Sequence, residues 1–73
     1  MYTVIELQTT GDITSSTTYA ISNENEAYQK FYTILSYAAV STVDIHSAAI
    51  LTEYGSVLRN ETFNHKTEGN VEG

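Results

Sequence analysis

The side chains best suited to chemistry lie in the last third of the chain. His46 and His65 fall within residues 43–66, together with the only arginine, Arg59, and several carboxylates. Imidazole and carboxylate groups can bind zinc or manganese, and the same pair of groups can transfer protons in catalysis. The candidate ligand-binding or interface residues are Asp44, His46, Tyr54, Arg59, Glu61, Phe63 and His65.

These residue types favour a non-enzymatic protein over a metal site or an active site. The chain has no cysteine, and its two histidines are too few for a structural zinc site of the usual kind. A histidine beside a carboxylate could act as an acid or a base, but no nucleophile elbow and no phosphate-binding glycine loop accompanies it. We therefore expect no catalytic residue, no cofactor and no bound metal.

The length of the chain predicts one small domain that gains from association. At 73 residues, folding removes only about 60% of the surface that the unfolded chain exposes, so stability is marginal. Disulfides are excluded because cysteine is absent. Association with further copies is the remaining common way for so small a domain to gain stability, so we expect a homo-oligomer, a dimer or higher.

The charge of the chain argues against nucleic acid as a partner. Three basic residues against nine acidic ones give a formal net charge of −6, whereas phosphate binding needs clustered Lys and Arg. Mimicry of nucleic acid stays open as an alternative, although excess acidic residues more often serve solubility. No apolar run approaches the roughly 20 residues that span a bilayer, and the start of the chain lacks signal-peptide features. We expect a cytosolic protein with no membrane contact.

Hydrophobic periodicity predicts two strands, a helix and two further strands. Strands are expected over 2–8 and 14–21, the second at a sheet edge or partly solvated because it has few large apolar groups. Apolar residues at three- and four-residue steps predict a helix over about 24–40. The helix should begin at Asn23 as N-cap and should pack through Phe31, Ile34, Leu35 and Ala38.

The last two strands, 43–52 and 57–64, should form a hairpin closed by a two-residue loop at Tyr54 and Gly55. In that register, paired positions place His46 opposite Phe63 and Asp44 opposite His65. A three-residue loop would instead shift the register by one and turn Arg59 and Glu61 toward the core, where an unpaired charge is costly. The two-residue loop is therefore favoured.

This register separates the hairpin into two chemically distinct faces. One face has no formal charge and holds Val43, Ile45, Ser47, Ala49, Leu51, Leu58, Asn60 and Thr62. The other face holds Asp44, His46, Arg59, Glu61, Phe63 and His65. We expect the helix to cover the uncharged face, on Ile5, Leu7, Ile45, Ala49, Leu51 and Leu58. The charged face should then be bare, with an apolar patch of Tyr2, Val4, Ile50, Val57 and Phe63 available to a partner.

The predicted fold is therefore α+β: a single ββαββ domain with a four-stranded, largely antiparallel sheet and one helix on one face. The domain should comprise residues 1–66. Residues 67–73, with two glycines and two glutamates, should form a disordered acidic tail.

A resemblance to a known family adds a biological context. The chain resembles short, uncharacterised proteins encoded by phages and prophages of gut Firmicutes in its segments "YTVIELQT", "NENEAYQKFYTIL", "AAVS", "HSAAILTEYG" and "FNH". The similarity covers nearly the whole chain except the tail. It implies a phage protein in the cytoplasm of a bacterial host, and it carries over no catalytic or binding residue.

Two classes of function fit that context. The first is a counter-defence protein, an oligomer that sequesters a small host signal or blocks a defence protein by contact. The second is a virion or assembly accessory that docks on a larger phage component. The first predicts an enclosed pocket lined by Arg59 and tyrosines, and the second predicts a flat apolar surface. Three basic residues are few for a phosphate ligand, but sequestration suits a small oligomer and ranks slightly ahead.

Overall fold

The computed structural model describes residues 1–66 as one sheet with one helix, and the predicted α+β fold is confirmed. The elements are β1 (Tyr2–Thr10), β2 (Ile13–Ile21), α1 (Glu24–Ala38), β3 (Ile45–Thr52) and β4 (Val57–Asn64). The predicted acidic tail, 67–73, lies outside the described residues.

The four strands are antiparallel to their neighbours in the order β2-β1-β3-β4. The prediction that β2 lies at an edge is confirmed. Because β2 and β3 both run antiparallel to β1, they are parallel to each other, and α1 is the crossover between them. The topology therefore places α1 over the two central strands.

The helix begins where the sequence predicts. Asn23 is the N-cap, and its Oδ1 accepts a hydrogen bond of 3.0 Å from the backbone N–H of Glu26. Acidic residues in the first turn, Glu24 and Glu26, suit the positive end of the helix dipole. The helix ends at Ala38, two residues before the predicted end.

The first hairpin has a two-residue turn. Thr10 pairs with Ile13 across Gly11 and Asp12, and Gly11 has φ 61°. A glycine with positive φ at the first central position is what a type II′ turn requires. The turn is attached to the rest of the fold, because the backbone N–H of Gly11 donates to Oδ2 of Asp44 at 2.8 Å.

The second hairpin differs from the prediction in its loop and in the register next to the loop, where Leu51 pairs with Val57. The backbone N–H of Thr52 donates to the carbonyl of Ser56 at 2.8 Å, so three residues lie between this bonded pair, and the predicted two-residue loop is wrong. A shift between Ile50 and Leu51 compensates for the additional loop residue. Beyond it the predicted pairs, including His46 with Phe63, are confirmed.

The helix covers the sheet face opposite to the predicted one. The buried hydrophobic residues are Val4, Ala27, Phe31, Ile34, Ala38, Ala48 and Ile50. Phe31, Ile34 and Ala38 pack inward as expected, and Leu35 is partly buried against this core. On the sheet, however, Val4 and Ile50 are fully buried, so the predicted bare patch is wrong. We call the sheet face beneath α1 the covered face and the other the open face.

Two features explain how the charged residues fit on the covered face. Arg59 and Glu61 lie on the edge strand β4 and stay exposed, because α1 packs chiefly on β3 and β1. Glu6 and His46 do lie beneath the helix, but they pair with each other. The covered face therefore holds ionisable residues, but each of these four is either exposed or paired.

Candidate functional site

The predicted site residue His46 is part of the core. Only 4% of the residue is exposed, and its Nε2 lies 2.6 Å from Oε2 of Glu6. The same carboxylate oxygen accepts a hydrogen bond of 3.1 Å from the side-chain amide of Gln8, while Nδ1 of His46 is buried without a partner. Because both side chains are largely buried, the contacts of His46 and Gln8 with this oxygen satisfy a carboxyl group inside the fold.

His65 connects the end of the helix to the sheet, and it is held in place by contacts with Asp44 and Phe63. Nε2 of His65 donates to the carbonyl of Ala38, in the last helical turn, at 2.8 Å. This turn has no basic residue, and the carbonyl, which has no partner within the helix, also accepts from the backbone N–H of Ser41 at 3.3 Å. The backbone N–H of His65 donates to the carbonyl of Asp44 at 2.6 Å, and the ring of Phe63 stacks on the imidazole with centroids 6.2 Å apart. These three residues therefore have a structural role.

The remaining candidates, Tyr54, Arg59 and Glu61, are exposed and do not meet in one site. Arg59 and Glu61 project from β4, while Tyr54 lies in the loop before that strand and is 87% exposed. A shallow depression beside the loop is lined by Met1, Tyr2, Thr52, Glu53 and Tyr54. Arg59 is not part of its lining, so the structure separates the arginine from the concave surface.

The open face is the more distinctive surface. The strand registers place these residues on it: Thr3, Ile5, Leu7, Thr9, Thr14, Ser16, Thr18, Ala20, Ile45, Ser47, Ala49, Leu51, Val57, Asn60, Thr62 and Asn64. None of them carries a formal charge, although the chain has a net charge of −6. In a protein of this composition, an uncharged surface across four strands is unusual.

The centre of the open face is aliphatic and its margins are polar. Ile5 pairs with Ala49 between the two central strands, and Leu7 is 39% exposed. Threonine and serine hydroxyls of β2 form one margin, and the threonine and asparagines of β4 form the other. An apolar centre with uncharged hydrogen-bonding groups around it is the composition of a protein–protein interface, where charged residues are depleted at the core.

The sequence contained the signal for this surface but not its location. The absence of charge from the residues of the second hairpin was visible in the alternation along 43–52 and 57–64. We expected that face to form the core, whereas α1 leaves it open. The residues missed by sequence reasoning are therefore those of β1 and β3 at its centre, Ile5, Leu7, Ala49 and Leu51.

Residues 1–66 contain no group of three or more His, Asp or Glu side chains arranged to hold a metal ion. Within the same residues, α1 lacks the length and apolar content to cross a bilayer. Comparisons of the chain with protein-family models, with curated proteins and with solved structures find no match.

Proposed function

We propose that this chain is a non-enzymatic binding protein that docks its open face on the flat, uncharged surface of another folded protein. The observation that carries the proposal is the absence of formal charge from the open face of a chain with a net charge of −6. None of the acidic residues within 1–66 lies on the open face. Their exclusion from this face is what a partner surface needs, because a buried unpaired carboxylate would weaken the contact.

The geometry favours protein contact over sequestration of a small signal. A sequestering site was expected to enclose its ligand between Arg59 and tyrosines. Arg59 is instead exposed on β4, and the shallow depression that includes Tyr54 has a different lining. An open, uncharged sheet face supports the interpretation as a virion or assembly accessory, which docks on a larger phage component. The resemblance to phage and prophage proteins suggests that context, in the cytoplasm of a bacterial host.

The size of the open face suits a contact of modest strength. Strands about 4.8 Å apart with a rise of about 3.4 Å per residue give this face an area of roughly 500 Å². Covering it would bury about 1,000 Å² over both partners, close to the lower limit for a specific interface. Most of the binding energy should come from the aliphatic centre, Ile5, Leu7 and Leu51, with the polar margins excluding water.

The test is a charge placed at the centre of the open face. Ala49→Lys adds a lysine opposite Ile5, and Gln29→Lys adds the same charge on the exposed side of α1 as a matched control. Each tagged form would be isolated from the cells that encode it and analysed by native mass spectrometry. We expect a second protein to be retained by the wild type and by Gln29→Lys, and lost from Ala49→Lys.

Three results would overturn the proposal. One is equal retention of the same protein by Ala49→Lys and the wild type. Another is a retained small molecule in place of a protein. The third is recovery of the wild type without any second protein.

A further inference from the structure

The two edges of the sheet are unequally protected against pairing with another strand. An edge strand presents unpaired N–H and C=O groups, and proteins shield such edges with charges, prolines or bulges. β4 carries Arg59 and Glu61 and has an irregular register near Leu51. β2 has nine residues, Ile13–Ile21, that contain no charge and no proline and pair with β1 in an unbroken register.

We propose that β2 pairs antiparallel with β2 of a second copy, joining the two sheets into one of eight strands. This inference goes beyond the docking of the open face, because it concerns the edge of the sheet and a different partner. It also gives the expected homo-oligomer a definite geometry.

The turn between β1 and β2 determines which residues of β2 direct their backbone groups outward. Thr10 and Ile13 close a two-residue turn, so they form a pair that exchanges hydrogen bonds. Because such pairs alternate along an antiparallel ladder, the odd-numbered residues of β2 bond to β1. The even-numbered residues, Thr14, Ser16, Thr18 and Ala20, then direct their N–H and C=O groups to the free edge.

One register satisfies these outward groups and the symmetry of a dimer together. If Thr17 lies on the two-fold axis, Ser16 pairs with Thr18 of the second copy and Thr14 pairs with Ala20. All four are outward-directed residues, so the hydrogen-bonded pairs fall where the ladder requires them. The pairing is centred on the strand, and its residues are all within Ile13–Ile21.

The same register explains the exposed isoleucine at the start of β2. Ile13 is 75% exposed, on the side of the sheet that α1 covers elsewhere. In the proposed dimer Ile13 lies opposite Ile21 of the second copy, a residue that packs against the hydrophobic core. Each copy would therefore extend the apolar core of the other, which is why we assign the edge to a second copy instead of an unrelated peptide.

Pairing at β2 would also enlarge the surface available for docking. Since neighbouring strands of one sheet share their faces, the two open faces would become continuous across the axis. The residues added at the junction are threonine, serine and alanine, so no charge would interrupt the combined surface. Self-association and docking would use different parts of the molecule.

Cysteine cross-linking tests the register directly, because the natural chain contains no cysteine. Thr17→Cys places two thiols across the axis, with Cα atoms about 4.5–5.5 Å apart, within the range that a disulfide bridges. Ser15→Cys is the matched control on the same strand and the same face. Its two copies would lie about 14 Å apart, four residues along the strand. Under mild oxidation we expect rapid formation of a covalent dimer for Thr17→Cys and at least tenfold slower formation for Ser15→Cys.

A third variant, Ala49→Cys, identifies association through the open face. The edge proposal would be overturned if Ala49→Cys cross-links and Thr17→Cys does not. Equal rates for Thr17→Cys and Ser15→Cys, or no cross-linking of any variant, would also overturn it.

A second measurement uses Thr18→Pro, which removes an outward N–H that β1 does not need. By sedimentation we expect Thr18→Pro to be monomeric where Thr18→Val is dimeric. If the edge proposal fails while Ala49→Lys still loses its partner protein, the docking function stands alone.

Discussion

The two faces of the sheet show that absence of charge does not by itself identify the core. The covered face buries Val4 and Ile50, yet it also holds Glu6 and His46. The open face has no charged residue and remains accessible. Burial follows the path of α1, and the charges beneath it are tolerated because they pair. An uncharged face that the fold leaves open is therefore evidence for a contact surface.

The largest difference between the faces should appear when the same residue type is truncated on each. Ile50→Ala removes a fully buried side chain and should cost about 2–5 kcal/mol in the free energy of unfolding. Ile5→Ala, at the half-buried centre of the open face, should cost about 1 kcal/mol. Urea denaturation of the isolated chain measures both. Equal losses would show that the two faces are buried alike.

The buried hydrogen-bonded pair of Glu6 and His46 gives the next largest effect. His46→Leu leaves the Glu6 carboxylate beneath α1 without its imidazole partner and should cost about 2–3 kcal/mol, a moderate value because Gln8 still donates to that carboxylate. The double variant Glu6→Leu/His46→Leu should recover most of this loss, since no charge then remains unpaired. If His46→Leu alone unfolds like the wild type, the pair has no role in holding the covered face.

Removing the N-cap of α1, the helix that covers one face of the sheet, should lower the free energy of unfolding by a smaller amount. Asn23→Ala removes the acceptor for the N–H of Glu26 and should cost about 1 kcal/mol. Asn25→Ala, an exposed position inside the helix, is the control and should leave stability unchanged or raise it slightly. Thermal unfolding followed by circular dichroism compares the two. Equal losses of stability for Asn23→Ala and Asn25→Ala would contradict a stabilising role for the N-cap.

Local patterns in the sequence predicted the elements well. The alternation along the strands, the capping residue Asn23 and the apolar stripe of α1 are properties of short segments, and all three agree with the structure. The pairing of His46 with Phe63 was also correct, although for an incomplete reason. The three-residue loop and the later register shift cancel, and neither leaves a clear mark in the residues around Gly55.

The covered face could not be predicted, because it depends on relations between distant strands. The helix connects β2 to β3, which flank β1, and such crossovers are almost always right-handed. Handedness selects a face only when the strand order is known, and the pattern of residues did not supply that order. We chose the covered face from the distribution of charge instead. That choice was wrong because Glu6 pairs with His46, 40 positions away, so both residues can lie beneath the helix. Six of the candidate residues were consequently placed on a face that was expected to be bare, whereas α1 covers the part of it on β1 and β3.

Two neighbouring alanines provide the most direct test of the open face. Ala48 is 3% exposed beneath α1, whereas Ala49 lies on the open face. Ala48→Lys would force a long side chain into the packed core beneath α1, where the neighbouring Glu6 already pairs with His46, but the stem of a lysine at position 49 can lie along the sheet with its ammonium in water. In urea denaturation we expect Ala49→Lys to remain within about 0.5–1 kcal/mol of the wild type and Ala48→Lys to be unfolded. The reverse result, a stable Ala48→Lys and an unfolded Ala49→Lys, would contradict the assignment of the two faces.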